Sequence, residues 1–158
     1  MNTIIVYGSK YGFTKKCVDR LAKELHGKVD LQDLKNGTNI TISEYDTIII
    51  GGSIYAGRIQ KEVTEFCTKN LEDLKDKNIG LFICGMQEGD AVETELTQNY
   101  NAELVKVAIA RDYFGGEFNF EKMNFIEKFI VKKISKVTSS KTNLLTENIQ
   151  RFAQAMNS

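Results

Sequence analysis

The stretch TIIVYGSKYGFTKK, Thr3 to Lys16, decides the fold. Thr3 to Tyr7 is an apolar run rich in β-branched side chains, which suits a strand covered on both faces. The run stops on Gly8, passes through Ser9, Lys10, Tyr11, Gly12 and Phe13, and from Thr14 acquires helical periodicity up to His26. Cys17 or Val18, Leu21, Ala22 and Leu25 fall on one stripe of that helix. Gly27 stands where a left-handed residue ends it. A strand that becomes a helix through a short glycine-bearing loop is the first half of a βαβ unit.

Four further runs extend the pattern: KVDLQDL from Lys28, DTIIIGG from Asp46, NIGLFICG from Asn78 and VKVAIARDYF from Val105. All but the first of these are almost continuously apolar, as buried parallel strands are. In the run from Lys28, Val29, Leu31 and Leu34 alternate with Asp30, Gln32 and Asp33, which predicts an edge strand. Helical segments are predicted at Gln60 to Asn70, Ala91 to Tyr100, Glu121 to Val137 and Asn143 to Met156. Five parallel strands with right-handed crossovers permit few topologies. The expected fold is an α/β doubly wound sandwich, a five-stranded parallel sheet of order 2-1-3-4-5 with helices on both faces. Residues 1–158 are expected to form a single domain of this kind.

Composition limits the function. The 21 basic and 21 acidic residues give a formal charge of zero, so no global field draws the chain to nucleic acid. The three cysteines, Cys17, Cys67 and Cys84, are dispersed, with no Cys-x-x-Cys pair and no zinc-ligand spacing. Such usage fits a reducing compartment. The run from Thr47 to Gly57 is too short to span a bilayer. These features lead to the expectation of a soluble, cytoplasmic protein without a metal site.

In this topology ligands bind at the carboxyl ends of the strands. After the first strand, Ser9 and Thr14 supply hydroxyls, Gly12 lets the backbone close, and the following helix offers free N–H groups; the set suits a phosphate, or simply a tight turn. The third strand ends in GGSIYAGRI, Gly51 to Ile59, where Tyr55 at the tip can stack on a planar ring or pack on its own loop. The fourth ends in CGMQEGD, Cys84 to Asp90, a third glycine-bearing loop on the same side. Glu88 and Asp90 in that loop read as a solvated acidic pair, Cys84 as an inert core thiol, and His26 as a surface or capping residue.

These residues carry a family resemblance. Ser9-x-x-Gly12-x-Thr14 resembles the flavodoxin phosphate loop, which binds the phosphate of FMN, with Tyr11 standing where flavodoxins usually place Thr. Ser53 to Gly57 is similar to the second flavodoxin loop, whose aromatic stacks on the isoalloxazine. Gly85 to Asp90 matches the third by position. Within flavodoxin-like proteins the chain most resembles the menaquinone-dependent protoporphyrinogen oxidase branch. That branch shares the Gly-x-Ser-Ile-x-x-Gly loop, the first-loop pattern, and a long amphipathic helix after the fifth strand, here FIEKFIVKKIS from Phe125 to Ser135.

The resemblance implies FMN as cofactor, held by Ser9, Lys10, Tyr11, Gly12, Phe13, Thr14, Ser53, Ile54, Tyr55, Ala56, Gly57, Gly85, Met86, Gln87 and Gly89. It also implies an oxidoreductase or electron-transfer flavoprotein with a quinone or a redox protein as partner. The alternatives are a flavodoxin-type carrier without its own substrate and a flavin-free interaction module. Lys128, Lys132, Lys133 and Lys136 beside Phe125 and Phe129 read as a solvated basic face, or as one that rests on the inner face of an anionic membrane. A receiver domain is excluded by Gly51 and Gly52 at the place of its aspartate, and a small tyrosine phosphatase by the absence of a Cys-x5-Arg loop. A dinucleotide fold is disfavoured because no Gly-x-Gly-x-x-Gly follows a strand.

Overall fold

A computed structural model of the protein describes residues 1–86, 89–118 and 141–158. The sheet consists of β1 (Asn2–Tyr7), β2 (Lys28–Asp33), β3 (Thr47–Ser53), β4 (Asn78–Cys84) and β5 (Ala110–Tyr113), in the order β2-β1-β3-β4-β5 with every pairing parallel. The expected doubly wound arrangement is therefore present. The helices are α1 (Phe13–Glu24), α2 (Lys61–Lys69), α3 (Leu71–Leu74), α4 (Asp90–Asn99), α5 (Ala102–Val107) and, nearest the C-terminus, α6 (Thr146–Asn157).

Alternate residues of the central strands feed two cores. Ile4, Val6, Ile48, Ile50, Ile79, Leu81 and Ile83 pack against Val63, Phe66, Leu74, Leu96 and Leu104 of α2 to α5. Ile5, Tyr7, Ile49 and Phe82 pack on the other face against Cys17, Val18 and Leu21 of α1 and Ile149, Phe152 and Met156 of α6. A strand sandwiched this way must be apolar at every position, which is why the central runs show no alternation. β2 is the edge strand its alternation predicts, although Leu31 is 38% exposed instead of packed inward. Leu34 reaches the core from a short 3-10 turn after the strand.

Two segments differ from expectation. Val105 to Val107 belong to α5, and the fifth strand starts only at Ala110. Leu104, one turn into α5, is the buried anchor of that helix, so the apolar spacing there serves a helix before it serves a strand. Asn143 and Leu144 lie not in the last helix but in a short strand, β7 (Lys141–Leu144), antiparallel to β6 (Gly115–Phe118). The predicted helix from Glu121 to Val137, with its basic face, lies outside the described residues, as do Gln87 and Glu88.

One close approach fixes the carboxyl end of the sheet. The ring of Phe82, fully buried, stacks on Phe114 at 4.6 Å between centroids and meets Phe152 edge-on at 6.2 Å. It lies against the backbone of Gly51 on the neighbouring strand, so that a Cβ there would run into the ring. Gly51→Ala is expected to destabilise the protein by roughly 1–3 kcal/mol through overpacking. In urea denaturation, Gly51→Ala combined with Phe82→Leu should cost less than the sum of the single changes, because the clashing ring is gone.

Candidate functional site

The three loops meet in one cleft at the carboxyl edge of the sheet. Its lining is Ser9, Lys10, Tyr11, Phe13 and Thr14 from the first loop, Ser53, Ile54 and Tyr55 from the second, Cys84, Gly85 and Met86 from the third, and Gly116 and Glu117 from β6. Ten of the residues singled out in the sequence thus converge. Gly12, Ala56, Gly57 and Gly89 shape the loops without lining the cleft, and Gln87 lies outside the described residues.

The loops come together because the strands end level. Tyr7 pairs with Gly51, and the Gly8 N–H donates to the Gly51 carbonyl at 3.0 Å, so loops one and two leave the sheet side by side. The Ile54 N–H donates to the Cys84 carbonyl at 2.7 Å and ties the second loop to the third. Gly12 precedes α1 with φ 94°, a left-handed conformation that favours glycine, and its N–H donates to Ser9 Oγ at 3.2 Å. No side chain caps α1. Its first-turn amides and the positive end of its dipole therefore face the cleft unclaimed by a cap. Thr14 is 1% exposed, and its Oγ1 is buried with no hydrogen-bond partner. A buried hydroxyl without a partner costs about 1–3 kcal/mol, which a ligand oxygen would recover.

The second loop is a two-residue hairpin turn. The Tyr55 N–H donates to the Arg58 carbonyl at 2.8 Å and the Arg58 N–H to the Tyr55 carbonyl at 3.1 Å, while Ala56 and Gly57 have φ of 52° and 80°. Two positive φ values in succession are what a type I′ turn demands. Ala56 is the one non-glycine with positive φ among the described residues. The turn presents the Tyr55 ring to the cleft, with the Lys10 ammonium 4.0 Å from its centroid. Ser53, where the loop begins, is held twice by Gln60: its N–H donates to Oε1 at 3.0 Å and its Oγ accepts from Nε2 at 2.6 Å.

The wall formed by β6 was not legible in the sequence. The Gly85 N–H donates to the Gly115 carbonyl at 2.8 Å, and Gly116 lies so close to the Gly85 carbonyl that a Cβ would not fit. Tyr113 Oη donates to the same carbonyl at 2.6 Å. Glu117 brings a carboxylate into the wall; its side chain is 6% exposed and pairs with Lys16 of α1 at 3.1 Å. The Gly115-Gly116 pair is the sequence signal that could have marked this close approach.

Beneath the cleft, Cys84 Sγ lies 3.8 Å from Cys17 Sγ. The sulfur contact and burial push the Cys17 thiol far above its ordinary range, and burial alone pushes Cys67 up to about 12. Both therefore stay protonated at neutral pH and are poor nucleophiles. Among the described residues no cluster of His, Cys, Asp and Glu could hold a metal ion, and no helix is long and apolar enough to cross a membrane. His26 is exposed, and its backbone N–H donates to Asn157 Oδ1 at 2.9 Å, which places it far from the cleft.

Comparison with known proteins agrees with this geometry. Residues 4–144 match the family described as "Flavodoxin domain", and the chain belongs to that family. It is 21% identical over 159 aligned positions to the protoporphyrinogen IX dehydrogenase [quinone] of Leishmania major, covering 91% of this chain and spanning only 66% of that relative's length. A short-chain flavodoxin associated with a PDU bacterial microcompartment superposes with a TM-score of 0.65 at 15% identity, over 100% of this chain and 99% of the other. The Fusobacterium nucleatum flavodoxin bound to flavin mononucleotide superposes with a TM-score of 0.52 at 20% identity, over 70% of this chain and 68% of that one. Family membership makes FMN the cofactor of this fold and electron transfer its work. The donor set fits that group: a partnerless Thr14 hydroxyl and uncapped helix amides for a phosphate, and an aromatic face for a planar ring.

The strained turn gives a direct test. Ala56→Asn should raise stability by about 1 kcal/mol, since Asn adopts the left-handed region more readily than Ala. Gly57→Ala should lower it by a similar amount, both read from thermal melts of the flavin-free protein.

Proposed function

We propose that the chain is an FMN-dependent oxidoreductase that passes electrons to a quinone, with protoporphyrinogen IX as the reduced substrate. The observation that carries the reading is the convergence of the Thr14 hydroxyl, the uncapped start of α1 and the Tyr55 ring in one cleft. The likeness to a protein named as a quinone-linked protoporphyrinogen IX dehydrogenase supports the choice of substrate and acceptor. The formal charge of zero supports it too, because a shuttle that must find charged redox partners gains little steering from a neutral surface.

In this reading the α1 amides, Ser9, Gly12 and Thr14 hold the phosphate, with Lys10 at hand as the cation of the loop. Tyr55 covers the ring, and Ile54, Met86 and Phe13 keep water from it. Ala56, Gly57 and Gly85 contribute backbone, and Gly89 lies in the third loop. Bound FMN supplies a two-electron centre that takes hydride equivalents from a donor and yields them to an acceptor. Lys16 neutralises Glu117, so the phosphate enters a cleft whose carboxylate is already paired. A membrane quinone would be met at the inner surface of the bilayer, with the protein on the cytoplasmic side.

A second reading, a flavodoxin-type carrier without a substrate of its own, is supported by the match of residues 4–144 to the flavodoxin family, whose work is electron transfer. Anaerobic assay separates the two: an oxidoreductase reduces a soluble quinone with protoporphyrinogen and no added protein, whereas a carrier shows no turnover until a redox protein is supplied.

The phosphate assignment has its own test. Thr14→Val should weaken FMN about tenfold or more, the worth of a hydrogen bond to a charged group, and leave riboflavin unaffected. Equal losses for both ligands in a fluorescence titration would place the phosphate elsewhere.

A further inference from the structure

The Tyr55 turn does not hold itself in place. Its two central residues are exposed, and a Cβ built on Gly57 would meet nothing within 4 Å. The Tyr55 hydroxyl is buried yet has no hydrogen-bond partner, so it does not anchor the ring. The turn contains an alanine, Ala56, in the left-handed conformation that residues with a Cβ rarely adopt. Its internal support is the reciprocal pair of main-chain hydrogen bonds between Tyr55 and Arg58, and an isolated two-stranded hairpin is marginal in water. Something outside the turn must select this conformation.

Gln60 braces the entry at Ser53. The exit is braced from a different element. Asn99, the last residue of α4, accepts from the Ile59 N–H through Oδ1 at 2.9 Å and donates through Nδ2 to the Gly57 carbonyl at 3.1 Å and to the Glu95 carbonyl of its own helix at 2.8 Å. One orientation of the amide satisfies all three bonds, since two partners are acceptors and one is a donor. The bond to Glu95 ties the head group to α4, so the other two fix Gly57 and Ile59 relative to that helix. α4 is itself anchored by Leu96, 1% exposed, and by the next residue after the helix, Tyr100, whose hydroxyl donates to the Phe82 carbonyl at 2.7 Å. The brace therefore runs from the buried sheet, through α4, to the turn.

We propose that Asn99 is a positioning residue of the site: it holds the strained Tyr55 turn and thereby fixes where the Tyr55 ring stands in the cleft. Asn99 lines a neighbouring surface cleft with Gly57 and Arg58 and is absent from the lining around Tyr55, so it acts through the turn and not by touching the ligand. The consequence for binding rests on the FMN reading above; the consequence for the turn does not.

Two substitutions separate the bonds. Asn99→Ala removes all three. Asn99→Asp keeps an acceptor for the Ile59 N–H and loses the donor to both the Gly57 and the Glu95 carbonyls. In the flavin-free protein, amide hydrogen exchange at Ile59 should accelerate tenfold or more in Asn99→Ala and stay near the wild-type rate in Asn99→Asp. Exchange at Arg58 should accelerate in both, while that of Ile48 to Ile50 is unchanged. With flavin, Asn99→Ala should weaken FMN and riboflavin by the same factor, about fivefold, and shift the visible flavin bands as the stacking ring moves. Wild-type exchange rates at Ile59 and Arg58 in Asn99→Ala would overturn the brace. A loosened turn with unchanged flavin affinity and spectrum would overturn the positioning role. Failure of the wild-type protein to bind either flavin would instead remove the FMN reading, and the exchange rates would still decide whether Asn99 sets the turn.

Discussion

The register between β1 and β3 is the constraint on which the site depends. With Tyr7 opposite Gly51 and the Gly8 N–H on the Gly51 carbonyl, two loops of unlike chemistry leave the sheet at one level: one leads into an uncapped helix, the other into a turn bearing an aromatic ring. A slip of one residue would send the side chains of β3 to the opposite faces and exchange the two cores. The buried Phe82 ring adds a packing constraint, because it occupies the space a Cβ on Gly51 would take. Stability and function thus meet at Gly51, which gives packing room on one side and a carbonyl for the first loop on the other.

The cleft divides its work between backbone and side chain. In the FMN reading, main-chain amides and the Ser9 and Thr14 hydroxyls serve the phosphate, while Tyr55, with the Lys10 ammonium over its ring, Ile54 and Met86 serve the planar end. Such a division suits a ligand that is anionic at one end and planar at the other. The third side is closed by β6, and Glu117 makes that wall acidic at one point, with Lys16 as its counter-charge. The buried Cys17 thiol beneath is held protonated and is a poor nucleophile.

Most of the sheet could be read from sequence because buried parallel strands announce themselves by continuous apolar runs, as in Ile48 to Ile50 and Ile79 to Ile83. The glycine and hydroxyl residues at their ends marked the loops, and ten of the fifteen residues expected at the site line the cleft. Three features were not legible. Leu104 and Val105 have a spacing that a strand and a short helix share, so the start of β5 was misplaced by periodicity alone. β6 and β7 are four residues each, pair with one another, and are tied to the third loop by main-chain contact of β6 with Gly85, which leaves no apolar pattern to find. Asn99 reaches Gly57 and Ile59 across about forty residues of chain, and a polar residue at a helix end reads as an ordinary surface position until the fold brings the turn to it.

In the proposed reading, three strand ends and the β6 wall form one FMN cleft. The most direct measurement is a titration of isotopically labelled protein with FMN, followed by amide chemical shifts. The amides of Gly12 to Lys15, Tyr55 to Arg58, Gly85 and Gly116 should move together and saturate at one equivalent. Shifts that spare the start of α1, or no saturable shift in these loops, would contradict it.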